Sequence, residues 1–430
     1  MNLPFERQDR RLRYVFLDLN SYFASVEQQE NPELRGKPVG VCPVMADSSF
    51  IVAASYEAKA FGVKTGTQIG EAKRLCPDIQ LLPAGFSNYV AYHEAVKRAL
   101  EGVLPIEEVC SIDEMRFRLL GEECQPERAR EIALRMKDVL RDEVGECITA
   151  SVGIAPNPFL AKIATELEKP NGLVMLEAKD LPGRLLELPL MGFTGINKRM
   201  RARLEAHGIF TAADLCAASA RDLRLAFGSV MGEEWFYMLR GYEAPRKKTQ
   251  RRTLGHSHVL APEFRHEQGC KEVLVRLLNK AAARLRAEGL FASGVSFHVT
   301  GFEKSWEGHE RFDSTQATQS FLDSFHRLWP RADFIRPRSV GVTFTGLIEK
   351  GAVTPSLFDD DDQTAQTELS HAIDSMNRKF GKNSVYLAST HRSKDTAKEK
   401  IAFQKTALFS EGLGDNVIFD TFRGIRTMDN

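Results

Sequence analysis

Apolar and polar positions along the chain switch between a period of two and a period near 3.6. The segment RYVFLDL (13–19) is a short apolar run rich in β-formers, the pattern of a buried strand. A helix is expected from Ser21, an N-cap residue type, with Ala24, Val26 and Glu27 behind it. Residues 31–82 contain NPELRGKPVGV, FIVAASYEAKAFGVKTG and IGEAKRLCPDIQLL, and read as a small α/β insertion. Beyond it, NYVAYHEAVKRALEGVL has the spacing of a long helix and EEVCSIDEMRFRLL that of a second strand. A helix over 126–144, the strand ITASVGIA and the helix PFLAKIATELEK follow. Alternating strands and helices with short loops predict helices packed on a central sheet.

Residues 176–245 are helical with short connections. Within them, MGFTGINKRMRARLEAHGIFTAADL places a glycine turn at Gly195 before a basic helix. Such a turn leaves backbone N–H groups free at a helix N-terminus, where phosphate binds. A basic segment, 246–252, leads to a second pattern: HSHVLAP, a long amphipathic helix with NKAAARLRAEGL, the strand SGVSFHVTGF, the helix QSFLDSFHRLW and the strand RSVGVTFTGL. This predicts a separate α+β domain over 253–347, followed by a tail at 348–430 with a short helix at HAIDSMNRKFG. The fold class is α+β and multidomain, with no internal repeat.

Composition narrows the setting. At 430 residues the chain exceeds one ordinary domain, and 43% hydrophobic with 27% charged residues is a globular balance. No apolar run approaches the ~20 residues of a membrane helix, and no apolar segment follows the basic start, so neither a membrane span nor a secretory signal is expected. Seven cysteines without a CxxC pair argue against a disulfide framework or a zinc site and for a reducing, cytoplasmic location. The formal net charge of zero hides local asymmetry: RKKTQRR at 246–252 has five basic residues and no acid, and DDDD at 359–362 is its opposite.

Three carboxylates stand out. Asp18 closes the first predicted strand, and Asp113 and Glu114 are adjacent in the second. Carboxylates gathered on neighbouring strands repel one another unless a divalent cation neutralises them. Two hard cations ~3.5–4 Å apart on such oxygens serve in-line phosphoryl displacement. Taken alone, SIDE reads more readily as a pair of ordinary solvated acids at a strand end.

FLDLNSYFASVEQ, AASYEAKAFGVKTG, VCSIDEM and NPFLAKIATELEKPNGL, in this order, resemble the signature of Y-family (UmuC/DinB-type) translesion DNA polymerases. TGINKRMRARLEAHGIFTAADL resembles their thumb, and TLGHSHVL with KAAARLRAEGL resembles their little-finger domain. The resemblance runs from residue 13 to about 390. It implies a right-hand polymerase: palm at 1–30 and 83–175, small fingers at 31–82, thumb at 176–245, basic linker at 246–252, and little finger at 253–347.

The resemblance also implies residue roles. Asp18, Asp113 and Glu114 match the metal ligands for two Mg²⁺, with the backbone carbonyl of Leu19 as an additional ligand. Tyr56 and Lys59 match the finger residues on the incoming triphosphate, and Lys169 matches another triphosphate contact. Many members carry Arg where Lys59 stands, and Lys offers a point charge where Arg offers a bidentate fork. Phe23 matches the steric gate that excludes a 2′-hydroxyl. Tyr22 beside it groups with the nucleotide-binding residues and is the alternative gate. Asn20 stands where many relatives have Asp.

DNA contact is expected at Gly195, Lys198 and Arg199, continuing along Arg201 and Arg203, and in the tether at Arg246, Lys247, Lys248, Arg251 and Arg252. Leu357 and Phe358, in TPSLFDDDD, lie where relatives carry a peptide that docks on the sliding clamp, but without its leading Gln. QKTALF (404–409) is a second candidate. The implied partners are primer–template DNA, deoxynucleoside triphosphates, a sliding clamp, and accessory mutagenesis or recombination proteins, with no membrane. The implied reaction is low-fidelity, template-directed addition of deoxynucleotides to a primer 3′-hydroxyl. The rivals are a non-catalytic scaffold with the same fold and a metal-dependent nuclease.

Overall fold

The computed structural model describes residues 9–244, 252–353, 361–381, 383–386, 388 and 391. Of the expected site residues, Arg246, Lys247, Lys248, Arg251, Leu357 and Phe358 lie outside the described residues, as does 404–409. The chain forms two compact units, divided between residues 246 and 247.

In the first unit, β1 (Tyr14–Leu19) and α1 (Tyr22–Glu30) lead into a small lobe. The lobe holds β2 (Val39–Cys42), β3 (Ala53–Ala54), α2 (Tyr56–Ala60), α3 (Ile69–Leu75) and β4 (Gln80–Pro83). Its strands pair in the order β3-β2-β4 over a separate small core of Cys42, Ile51, Ala58, Ile69 and Ala72. The chain returns through α4 (Phe86–Glu101), β5 (Ile106–Val109), β6 (Glu114–Arg118), α5 (Pro126–Val139), β7 (Ala150–Ala155), α6 (Pro158–Leu167) and β8 (Leu173–Met175). The main sheet runs β5-β6-β1-β7-β8, with β1 in the middle and every residue of it buried.

Strand alternation sends β1 side chains to two cores. Val15, Leu17 and Leu19 join α1, α4 and α5, whereas Tyr14 and Phe16 pack under α6. Asp18, next in that second row, therefore faces the α6 side. Glu114 is its direct cross-strand partner. Helix α6 approaches unusually closely at Gly153, where an added Cβ would sit 2.0 Å from the Ala161 carbonyl oxygen. Only glycine permits that contact, and it brings the polar residues of α6 down to the sheet.

The stretch expected as one strand at 107–120 is instead the hairpin β5–β6. Its turn is closed by the Cys110 and Ser111 amides on the Glu114 carbonyl, at 2.9 and 3.2 Å. Ser and Asp in the run are turn formers that bond local backbone, and the apolar pattern alone hid them. Past the sheet, α7 (Lys198–Ala206), α8 (Ala212–Ala217), α9 (Ala220–Phe227) and α10 (Val230–Met238) form the helical region. Their Leu204, Leu215, Leu223 and Trp235 share the core under α6.

The second unit contains β9 (Thr253–Val259), α11 (Glu267–Ala287), β10 (Leu290–Lys304), β11 (Trp306–Thr315), α12 (Thr318–Leu328), β12 (Ile335–Thr345), β13 (Ile348–Glu349) and α13 (Asp361–Phe380). Its antiparallel sheet, β11-β10-β12-β9, lays Val295, Phe297, Val299, Val342 and Phe344 against α11 and α12. The opposite face carries small hydroxyl residues in register, Ser296 beside Thr343 and Thr300 beside Ser339. Part of the segment expected as a tail belongs to this unit. β13 pairs with β10, and the α13 residue Asp374 takes the buried Arg286 guanidinium at 2.6 and 3.0 Å.

Candidate active site

Asp18, Asp113 and Glu114 meet at one end of the main sheet. Asp18 sits opposite Glu114 across β1 and β6, and the Leu19 amide donates to the Asp113 carbonyl at 2.8 Å. That bond locks the two acidic segments together, although they lie far apart in sequence. Asp113 is further held by Ser111, whose hydroxyl lies 2.5 Å from its Oδ1. From beneath, the buried His93 Nδ1 donates to the Ile112 carbonyl at 2.8 Å. Asp18 is only 6% exposed.

Two lysines that face these acids complete the cluster. The Lys162 ammonium contacts Asp18, lies 3.0 Å from Glu114 and 3.2 Å from Glu166. Lys169 lies 3.0 Å from the other Asp18 oxygen and 2.8 Å from Glu166. Sequence reasoning reached Lys169 but not Lys162 or Glu166. Their spacing on a helix, with the small Ala161, Ala164 and Gly153 at the contact, was the available signal.

Electrostatics follow from burial. Desolvation raises the pKa of Asp113 despite the Ser111 hydrogen bond, and the Asp18 charge adds to it. Desolvation likewise raises Glu114, with Lys162 opposing and Asp18 and Asp113 adding. Burial alone would lower Lys162, but Asp18, Glu114 and Glu166 together hold it well above the usual lysine value. The site therefore carries crowded negative charge and the hard oxygen donors that divalent cations take. The donor chemistry fits Mg²⁺. Among the described residues, however, no group of three His, Cys, Asp or Glu is arranged as a ready-made metal site. The Lys162 ammonium occupies the space between Asp18 and Glu114.

Around this centre stand the expected nucleotide residues. Tyr56 opens α2, capped by the Ser55 hydroxyl. The Lys59 ammonium lies over the Tyr56 ring at 4.1 Å and donates to the Ser21 hydroxyl at 2.8 Å. Ser21 was expected to cap α1, but its side chain makes no cap bond and its backbone is left-handed, φ 47°. Its hydroxyl accepts from the small lobe instead. Asn20 is 2% exposed, with its amide oxygen accepting from Ser151 at 3.0 Å and its nitrogen donating to Thr149 at 3.1 Å.

Phe23 lies on α1, stacked on Tyr89 at 4.3 Å between centroids and 16° between planes. Tyr89 is itself fixed by its hydroxyl on Glu27 at 2.6 Å. Tyr22 points into the core, and its hydroxyl is committed to the Tyr89 carbonyl at 2.6 Å. Both rings belong to the same buried core and differ in what holds them: Phe23 lies flat on the Tyr89 ring, and the Tyr22 hydroxyl is engaged by the Tyr89 carbonyl.

The basic cluster of the helical region is arranged differently. Gly195 has φ +102°, and the Asn197 side chain caps α7 through the Met200 amide at 2.9 Å. A single 3₁₀ turn, Leu190–Gly192, precedes this turn in place of a full helix. Lys198 and Arg199 are exposed at the first turn of α7, and Arg201 pairs with Glu205 at 2.7 Å. Arg252 is exposed at the start of the second unit.

With this geometry in view, known proteins supply the context. The impB/mucB/samB family model matches residues 17–166, and the model of that family's C-terminal domain matches 251–357. A relative called DNA polymerase IV, from Moorella thermoacetica, is 33% identical over 87% of this chain and 95% of its own length. A Y-family polymerase chimera of Dbh and Dpo4 superposes with a TM-score of 0.64 at 24% identity, covering 79% of this chain and all (100%) of its own, a likeness of fold. DinB from Sulfolobus solfataricus superposes with a TM-score of 0.51 at 25% identity and the same coverage, 79% and 100%. The ordered motifs, the two matched models and the near-full-length relative agree, and the chain belongs to the impB/mucB/samB family, the Y-family of UmuC/DinB-type translesion DNA polymerases.

Proposed function

We propose that the acidic end of the main sheet is the nucleotidyl-transfer centre of a DNA-directed translesion polymerase. The carrying observation is the cross-strand pair Asp18–Glu114 with Asp113 bonded beside it, buried and backed by two lysines. Members of the family are metal-dependent. In this reading Asp18, Asp113, Glu114 and the Leu19 carbonyl hold two Mg²⁺. When bound, such ions would activate the primer hydroxyl and neutralise the leaving pyrophosphate.

The chain's own residues do the rest. Tyr56, Lys59 and Lys169 grip the triphosphate, and with Lys59 that grip is a point charge. Phe23, held flat by Tyr89, closes the space a 2′-hydroxyl would need. The Gly195 turn, Lys198 and Arg199 bind DNA phosphates, as do Arg246, Lys247, Lys248, Arg251 and Arg252. None of these contacts reads sequence, as a polymerase requires. The hydroxyl face of the second unit's sheet, with Ser296, Thr300, Ser339 and Thr343, offers further backbone contact. Leu357 and Phe358 dock on the sliding clamp, and accessory mutagenesis or recombination proteins join the complex in the cytoplasm.

Primer extension with Mg²⁺ tests the centre. Wild type extends a primer along a template, and Asp113→Asn does not. Near-normal extension by Asp113→Asn overturns the metal assignment. Clamp docking is tested separately: Leu357→Ala with Phe358→Ala removes clamp-stimulated synthesis and spares basal synthesis. If stimulation persists, Leu357 and Phe358 are not the docking peptide.

A further inference from the structure

Lys162 backs the acids of the transfer centre, yet it has no assigned role toward metal, nucleotide or DNA. Its ammonium contacts Asp18 and lies 3.0 Å from Glu114 and 3.2 Å from Glu166, with the side chain 12% exposed. At that burial, carboxylates rather than water solvate it. Its position is built in from below. α6 rests on Gly153 at backbone contact, so the helix has no room to drop further or tilt into the sheet. The Lys162 ammonium also lies over the Phe16 ring, 5.3 Å from its centroid. Glu166, one turn along α6, accepts from both Lys162 and Lys169, at 3.2 and 2.8 Å.

The oxygens around Lys162 are those assigned to metal. A divalent cation on Asp18 and Glu114 would sit within a few ångströms of the ammonium, and two like charges that close repel strongly where water is scarce. Both cannot hold these oxygens at once. The side chain has somewhere to go, because Glu166 lies on its own helix and already touches it.

We propose that Lys162 is a resident counter-cation: it holds Asp18 and Glu114 together until metal enters, and yields toward Glu166 when it does. Metal affinity is then set below what the carboxylates alone would give. An incoming triphosphate supplies the displaced ammonium with a new anionic partner, so metal and nucleotide bind better together than apart. This inference rests on the metal assignment of Asp18, Asp113 and Glu114.

The test is direct Mn²⁺ binding to the full-length protein, read from the paramagnetic resonance signal of free Mn²⁺, without DNA or nucleotide. Lys162→Met keeps the stem and removes the charge. It is expected to bind Mn²⁺ about tenfold or more tightly than wild type, on the scale at which one neighbouring charge shifts cation binding. Lys162→Gln gives the same comparison should the Met variant fold poorly. Thermal melting supplies a second readout. Without metal both variants melt below wild type, and saturating Mg²⁺ raises their melting temperatures by more than it raises that of wild type. Unchanged or weaker Mn²⁺ binding, or a melting deficit that Mg²⁺ does not narrow, overturns the proposal. If Asp113→Asn also leaves wild-type Mn²⁺ binding intact, the metal assignment itself falls. If Asp113→Asn abolishes binding while Lys162→Met leaves it unchanged, only the counter-cation role falls.

Discussion

The first unit holds two clusters of charge built on opposite terms. Asp18, Asp113 and Glu114 are buried or half-buried, tied to one another through backbone, and answered by Lys162 and Lys169 at hydrogen-bond distance. Lys198, Arg199 and Arg201 lie on the open face of α7, where Glu205 pairs with Arg201 at the surface. In the first cluster low dielectric makes each charge strong and couples it closely to its neighbours. In the second, water and salt screen every charge, so contributions are small and nearly independent. A buried cluster suits chemistry, which needs oxygens aimed at one point. An exposed one suits sliding contact with a uniform phosphate backbone.

The largest effect expected from this contrast is in rate. Asp113→Asn should lower single-turnover extension by about a thousandfold or more, since losing one metal ligand costs several kcal/mol in the transition state. Measured at saturating DNA and nucleotide, a loss below tenfold would place Asp113 outside the centre. Sugar choice comes next. Phe23→Ala should cut discrimination against ribonucleotides by roughly ten- to a hundredfold, the ~1–3 kcal/mol of a relieved clash. Tyr22→Phe is the control and should leave discrimination intact, because it removes only the hydroxyl held by the Tyr89 carbonyl. Matched ribo- and deoxynucleotide incorporation efficiencies decide it, and an equal loss in the control would move the gate.

The exposed cluster should respond more mildly. Lys198→Ala with Arg199→Ala should weaken primer–template binding by about tenfold at low salt and flatten the plot of log affinity against log salt by up to ~2 units. Each single variant should lower the affinity by less than the pair. An unchanged slope would mean that this face of α7 does not touch phosphate.

The smallest effect is in stability and carries the opposite sign to the first. The folded-state pKa of Asp113 is raised, chiefly by desolvation. Its protonation therefore favours the fold: that stability is present below the ordinary carboxylate pKa and lost as pH rises through the raised value. At neutral pH the ionised side chain is a burden, so Asp113→Asn should stabilise the metal-free protein there. The gain should vanish in acid. Denaturant unfolding at neutral and acidic pH, in chelator, measures it. A variant less stable than wild type at neutral pH would mean that the charge is already well compensated.

Much of this centre was legible in the sequence. Period-two alternation in RYVFLDL puts Asp18 in the row of Tyr14 and Phe16, the adjacent pair Asp113-Glu114 marks a second acidic point, and Phe23 and Tyr56 follow from ordered motifs. Each is a local fact, decided by neighbours a few residues away. Tertiary structure decided the rest. The stretch 107–120 became a hairpin through a turn that the Cys110 and Ser111 amides close on the Glu114 carbonyl and the Ser111–Asp113 side-chain bond braces, none of which an apolar count records. Ser21 surrendered its cap to accept from Lys59, and Tyr22 and Phe23 both sank into the core, one with its hydroxyl on the Tyr89 carbonyl and the other stacked on the Tyr89 ring. Lys162 reaches Asp18 across 144 residues of sequence because Gly153 lets α6 touch the sheet. Alternation and spacing fix which way a side chain points from its own element. Which charge it meets there depends on how closely two elements pack, and that is set by the small residues at their contact rather than by the charged ones themselves.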